Sequence, residues 1–399
     1  MKFRAMPTGV LAAGLFLFCA APSASALPIT PSRDDEVVEV LPAAAGNRGE
    51  ERQLRKRLAA RPDDPVLALA VARRYLDQAR ESGDPRYAGL ALAALRAWPD
   101  PAVAPFDILL MRATLQQYLH EFDAAVANLR LLLKRPAASR QPQAWLTLAT
   151  VLRVQGRYAD SDEACREVAR AGATLYASAC QAENAALRGE VDVSRQTLER
   201  LLADPRLPNG ARGWLLTSLA ELEERDGRAG AADAAYRGVL RLGPDSYASV
   251  AYADFLIAQK RPLDALKLLK GEARTDAVLL RLAIAGTLAA ASRGPGSKTA
   301  DSSAPDVAEM RDRIALANER PEARIYHGRE QAMFALFVDH APDRALSLAR
   351  GDVANQREPL DLLVFAQAAR AVGSAAAIQE ARRLKAAQGL HDRRIDALL

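Results

Sequence analysis

The sequence predicts an all-α solenoid of about nine stacked helix hairpins, with a lone helix before them and a short one after. Three observations carry that prediction. A short pattern recurs about every 34 residues, each period divides into two stretches with helical apolar spacing, and β-rich segments are nearly absent.

Residues 1–26 read as a secretory signal. Lys2 and Arg4 form a positive start, Gly9 to Ala21 is an almost uncharged apolar run, and Ala24-Ser25-Ala26 supplies small residues for cleavage. The run is shorter than the roughly 20 apolar residues of a spanning helix. Two other readings stay open: an uncleaved anchor, and lipidation at Cys19, which the bulky Phe18 before it disfavours. Residues 27–49 read as a flexible segment. A lone helix follows at 50–61, where the run from Glu50 to Arg57 is a solvated face or, alternatively, a contact for anionic lipid.

The chain of 399 residues holds 54 Lys+Arg against 49 Asp+Glu, a net charge of +5. Losing Lys2 and Arg4 with the signal leaves about +3. That balance, without clustered Lys/Arg, is no nucleic-acid footprint. The 23 Gly and 22 Pro are an ordinary share, which excludes a collagen-like or mostly disordered chain. No segment after the signal reaches 18 uncharged apolar residues, so stable membrane insertion of the mature chain is not expected.

The recurring pattern is often a Gly, then an aromatic or apolar residue two on, then a small residue three further. It reads Gly156…Tyr158…Ser161, Gly189…Val191…Ser194 and Gly227…Ala229…Ala232. Weaker copies end at Leu90, Ala125, Ala265, Ala345 and Ile378. Successive differences along 90, 125, 161, 194, 232, 265, 345 and 378 are 35, 36, 33, 38, 33, 80 and 33. The gap of 80 is two periods plus about 12 residues, which matches the Ser/Gly/Pro-rich stretch from Ser292 to Pro305. We therefore expect a regular solenoid over 50–290, a disordered inserted loop over 291–305 between helices at 276–291 and 306–319, and degenerate repeats with a C-terminal capping helix over 306–399. Within one period, Trp145, Leu148, Ala149 and Leu152 share a helix face and Gly156 ends that helix. Pro99, Pro136, Pro205 and Pro244 fall just after second helices, where Pro suits a turn.

The period, the series Trp145, Leu148-Ala149, Gly156, Tyr158, Ser161, and the series Ala232, Tyr236, Val239, Pro244 resemble the tetratricopeptide repeat. The resemblance covers about residues 64–388, with the poorest fit over 276–388. It implies a right-handed superhelix whose small-residue steps form one continuous core. Ala- and Arg-rich exported chains of this kind resemble periplasmic proteins of Gram-negative bacteria. The implied role is a protein–protein interaction scaffold in the periplasm, secretion being the lesser alternative, with no enzymatic activity and no cofactor.

Beyond Cys19 the chain has two cysteines. Cys165 falls in a second helix and Cys180 in the next first helix, each about seven residues from a turn near Gly172-Ala173. They face one another across an antiparallel pair, which suits a disulfide worth ~3 kcal/mol in the chain-entropy model. Two buried thiols are the alternative. Signatures of catalysis are missing: no HExxH, no GxSxG, and a Gly294…Ser297-Lys298-Thr299 stretch without phosphate-loop spacing. His327 before Gly328-Arg329-Glu330 reads as a helix-surface or capping group, and Asp339 and its neighbour His340 cannot face one another from adjacent helix positions. Neither a catalytic residue nor a metal site is expected.

In the tetratricopeptide repeat, positions 2, 5, 9 and 12 of the first helix line the concave groove. With the small residue as position 20, position 2 is Gln143, Tyr176, Trp214 and Tyr247 in successive repeats. Position 9 is Thr150, Glu183, Glu221 and Asp254, and position 12 adds Gln117 and Arg153. The expected groove thus repeats an aromatic and a carboxylate, suited to an extended, neutral to basic peptide. It lacks the Lys/Asn set of repeats that clamp an acidic carboxy terminus. On the same register Trp145 is a core residue, and Trp214 contributes to binding rather than stability. The plainer alternative is that the position-2 aromatics merely pack on neighbouring helix starts while the acids are solvated. Two other functions stay open: an enzyme with its site in 276–399, and a self-assembling structural protein such as an envelope-assembly subunit.

Overall fold

The computed structural model describes residues 48–292, 298–319 and 328–399, all of the secondary structure being helical. The signal expected over 1–26, most of the 27–49 segment, and His327 lie outside the described residues. Helix α1 (Arg48–Ala60) comes first. Nine hairpins follow among the described residues. Hairpins one to three are α2 (Pro65–Ser82) with α3 (Pro85–Ala94), α4 (Phe106–Tyr118) with α5 (Phe122–Leu133), and α6 (Pro142–Val154) with α7 (Tyr158–Arg170). Four to six are α8 (Thr174–Leu187) with α9 (Val191–Leu202), α10 (Asn209–Arg225) with α11 (Ala229–Leu240), and α12 (Ser246–Ala258) with α13 (Pro262–Leu269). Seven to nine are α14 (Asp276–Ala291) with α15 (Lys298–Asn318), α16 (Gly328–Phe337) with α17 (Pro342–Asn355), and α18 (Pro359–Val372) with α19 (Ala375–Gln388). The short α20 (Arg393–Asp396) ends the chain, giving an all-α solenoid.

Local chemistry sets these boundaries. Asp64 accepts from the Val66 and Leu67 amides ahead of Pro65, and Asp245 and Ser374 cap α12 and α19 in the same way. The turn inside a hairpin places one residue, two before the second helix, in the left-handed region. Glycine holds that place at 83, 156, 189, 227 and 373, while His120, Lys260 and His340 hold it at φ 59°, 58° and 51°. The seventh hairpin's turn lies outside the described residues.

The small residues five positions after these turns are the contact between paired helices. Ala125, Ser161, Ser194, Ala232, Ala265 and Ala345 are all 0–1% exposed. In hairpin one that place belongs to Ala88, which is fully buried, whereas Leu90 is 46% exposed. The expected register there is two residues late, because the turn is set by Gly83 rather than by the Pro85-Arg-Tyr87 copy. Cys165 and Cys180 are joined by a disulfide, linking α7 to α8 with Cα atoms 5.8 Å apart.

Helix α15 departs from expectation. It begins at Lys298 and carries Pro305 inside it, so the helix runs into the stretch read as a disordered loop over 291–305. Residues 293–297 of that stretch lie outside the described residues. Met310 and Ile314 bury this helix against the core.

The later chain returns to the turns of the earlier hairpins. A Cβ at Gly83 would lie 2.9 Å from Cβ of Thr275. Asn355 Nδ2 donates to the His120 carbonyl at 3.2 Å, the Arg357 amide to Val154 at 2.8 Å, and the His391 amide to Leu187 at 2.7 Å. Arg393 pairs with Asp226 at 3.2 Å, and Arg394 donates to Glu224. Five successive turns, those of hairpins one to five, are thus seated on residues 275–394. Tyr158 and Leu187, from hairpins three and four, are buried in one cluster with Leu362, Leu390 and Ile395. Helix α20 belongs to this seam.

Candidate binding groove

The first helices α6, α8, α10, α12 and α14 carry the residues expected to line the groove, and side-chain contacts run from one hairpin to the next along them. Tyr176 on α8 stacks on Trp214 of α10, with ring centroids 5.8 Å apart and planes 19° from parallel. Tyr176 remains 40% exposed, while Trp214 is half-buried. Glu183 takes hydrogen bonds from Arg153 on α6 and Ser218 on α10. The Tyr247 hydroxyl donates to Glu221 at 2.8 Å, and Arg225, one turn along α10, lies 3.8 Å from the same carboxylate. Asp254 receives Arg281 of α14 through two nitrogens, at 2.9 and 2.7 Å.

Seven of the ten residues assigned to positions 2, 9 and 12 therefore form interhelix contacts, and three do not. Thr150 donates to the Leu146 carbonyl of its own helix at 3.0 Å, and Gln117 is half-buried on α4, away from the series. Gln143 donates to Thr147 on its own helix at 3.4 Å, and so takes no part in the aromatic series.

The two tryptophans differ from expectation. Trp145 is half-buried rather than core, and its indole N–H donates to the Ser139 carbonyl at 2.9 Å at the surface. Trp214 packs against a buried cluster containing Leu215 and Leu222 as well as stacking on Tyr176, so it serves stability too. Position in the repeat sets the direction of a ring, but neighbouring first helices close over part of each.

Three partners were not singled out from the sequence: Ser218, Arg225 and Arg281. Arg281 had a signal, since it stands 34 residues after Tyr247 and so continues the position-2 series. Arg225 stands four after Glu221, the spacing of a helix-surface ion pair.

Crowding by surrounding protein pushes the Glu221 carboxyl above the ordinary range, against the pull of Arg225 and the Tyr247 hydroxyl. The negative charge of Glu221 holds the Tyr247 phenol well above its usual value, although Tyr247 as a residue is 64% exposed. Glu358 and Arg329, from hairpins nine and eight, act on Tyr247 as well. They belong to a charged cluster in which Arg329 lies 3.0 Å from Asp361, 3.1 Å from Glu358 and 3.4 Å from Glu330. Glu221 and Tyr247, on the first helices of hairpins five and six, thus share one electrostatic environment with the starts of hairpins eight and nine.

Outside the groove, Asp339 is taken up by Arg311 at 2.8 Å and Arg344 at 3.6 Å, and His340 holds a turn. Among the described residues no group of three or more His, Cys, Asp or Glu has metal-binding geometry, and no helix is long and apolar enough to cross a membrane.

Neither a protein-family model nor a curated protein matches the chain. Solved structures do resemble it. A tetratricopeptide repeat protein from Parabacteroides merdae is 18% identical with a TM-score of 0.45, over 55% of this chain and 83% of that one. The human IFIT1 dimer with PPP-AAAA is 12% identical with a TM-score of 0.43, over 85% of this chain and 78% of that one. The tetratricopeptide repeat domain of P58(IPK) is 14% identical with a TM-score of 0.20, over 82% and 93%. At these scores the fold stands on the chain's own helix pairs.

Proposed function

We propose that this chain is an exported interaction scaffold that binds an extended, neutral protein segment along its first helices. One observation carries the reading. Tyr176 and Tyr247 as residues are 40% and 64% exposed, and each ring is held in place from behind, one by Trp214 and the other by Glu221. Rings with few rotamers left to lose are efficient anchors for proline and aliphatic side chains. The carboxylates argue for a neutral rather than a basic segment. Glu183, Glu221 and Asp254 each already have an arginine, in Arg153, Arg225 and Arg281. A basic partner would have to compete with those pairs. The periplasm of a Gram-negative cell is the setting we assign, on the signal read in residues 1–26, and we assign no catalytic step.

Site-specific photo-crosslinking in the native cell tests this, with the reporter at Tyr247 and a control at Arg237. Arg237 lies on the second helix α11, with a side chain 55% exposed. We expect a discrete adduct at 247 alone. Equal labelling at both positions, or none at either in a folded and exported chain, refutes the groove.

A further inference from the structure

Helix α1 sorts its side chains by charge. Leu54 and Leu58 pack against the core of the first hairpins, and Glu51 is turned the same way, accepting from Gln78 of α2 at 3.2 Å. The opposite face carries Arg52, Gln53, Lys56, Arg57 and Ala60, all exposed, with the exposed Glu50 at its edge. Arg55, between the two faces, lies 3.8 Å from Glu51 and keeps 54% of its side chain exposed. Arg52, Lys56 and Arg57 have no carboxylate partner among the described residues. Several exposed arginines elsewhere do: Arg86 meets Asp84, Arg261 meets Asp264, and Arg350 meets Glu380. From Gly49 to Arg61 five basic residues stand against two acidic ones, a balance of +3 in 13 residues, while all 399 residues balance at +5.

We infer that the outer face of α1 rests on an anionic phospholipid surface and holds the chain at a membrane without entering it. Charge complementarity carries the inference, which is independent of the groove. Tight protein interfaces are anchored by aromatic or large apolar groups seated in pockets. This face offers none, only alanine and the stems of long side chains. A sheet of phosphate headgroups requires closely spaced positive charge and no fixed pocket, so the arginines and the lysine keep their rotamers on contact. The face has no large apolar side chain to insert, and among the described residues no helix is long and apolar enough to cross a membrane. The contact is therefore electrostatic and sensitive to salt.

Co-sedimentation with vesicles tests this on the full chain purified from its native cell. The vesicles are phosphatidylcholine alone, or phosphatidylcholine with about a third phosphatidylglycerol. We expect binding to the second kind only, weakening at least tenfold between about 0.05 and 0.5 M salt. Each basic residue at such a surface contributes about fivefold. Arg52→Glu/Lys56→Glu/Arg57→Glu should therefore weaken binding about a hundredfold, with an unchanged circular dichroism spectrum. Arg370→Glu/Arg382→Glu/Arg383→Glu removes the same charge from exposed residues of hairpin nine, and should change binding by less than about threefold.

Equal binding to both kinds of vesicle, or to neither, overturns the inference. Equal losses from the two triple variants overturn it as well, because net charge rather than α1 would then govern binding. A chain that ignores the vesicles but is captured by soluble polyglutamate through Arg52, Lys56 and Arg57 has an acidic protein as its partner, and the lipid assignment falls.

Discussion

Gly83→Ala tests the seating of the earlier turns on the later chain. Two effects act at this position. Gly83 has φ +69°, so any Cβ there carries the strain of the left-handed region, ~1–2 kcal/mol. That Cβ would also lie 2.9 Å from Cβ and 3.2 Å from Cγ2 of Thr275, with the Thr275 backbone at 3.5 Å. Overpacking of this sort typically costs ~1–3 kcal/mol. Thr275 has little freedom to retreat, because its hydroxyl accepts the Val278 amide at 3.3 Å and caps α14. Gly172 is the matched control, having φ +87° and nothing within 4 Å of an added Cβ. Gly172→Ala should therefore lose only the strain, ~1–2 kcal/mol, and Gly83→Ala about 2–5 kcal/mol. Urea unfolding followed by circular dichroism measures both. Equal losses would show that the turn of hairpin one does not rest on the start of hairpin seven.

Two further predictions concern charge and turn chemistry. Burial pushes the Asp352 carboxyl up to about 6, against the pull of Arg329 and a hydrogen bond with Asp361. A carboxyl raised in the folded chain binds its proton more tightly there than when unfolded, so its stabilisation is full in acid and is lost as pH rises through about 6. Asp352→Asn should remove that loss, leaving the variant more stable than the parent at pH 7 by up to ~3 kcal/mol; identical pH slopes between pH 4 and 7 would exclude the effect. Lys260 is exposed and holds a left-handed turn at φ 58°, so Lys260→Gly should stabilise by ~0.5–1 kcal/mol in the same urea assay, and a lower midpoint would contradict it.

The repeat was legible because its turns are. Gly156, Gly189 and Gly227 announce a left-handed residue, and the small Ser161, Ser194 and Ala232 behind them announce close helix contact, whereas behind Gly373 the buried residue is Ala377 and not Ile378. Where Lys260 or His340 takes that conformation the spacing alone had to serve, and in hairpin one it slipped from Ala88 to Leu90. The row of first-helix residues could be read in the same register, since Tyr176, Glu183, Glu221, Tyr247 and Asp254 recur with the period. Their mutual contacts could not, because stacking and pairing depend on how far each hairpin rotates on the last. Least visible of all was the contribution of Arg329 and Glu358. They reach Tyr247 because the superhelix winds back on itself, and a period of about 34 residues carries no statement of superhelical pitch.

Helical-repeat chains ordinarily change length with ease, because each unit touches only its neighbours and one more or one fewer can be spliced in. Here His120 meets Asn355 across 235 positions, and Glu224 meets Arg394 across 170. Duplicating or deleting a single hairpin between them would slide every later residue one turn off its seat; a deletion, for example, would bring Arg394 to the turn where His391 sits. The winding therefore ties this chain to its number of units, and a further unit fits only where it is added beyond the seam.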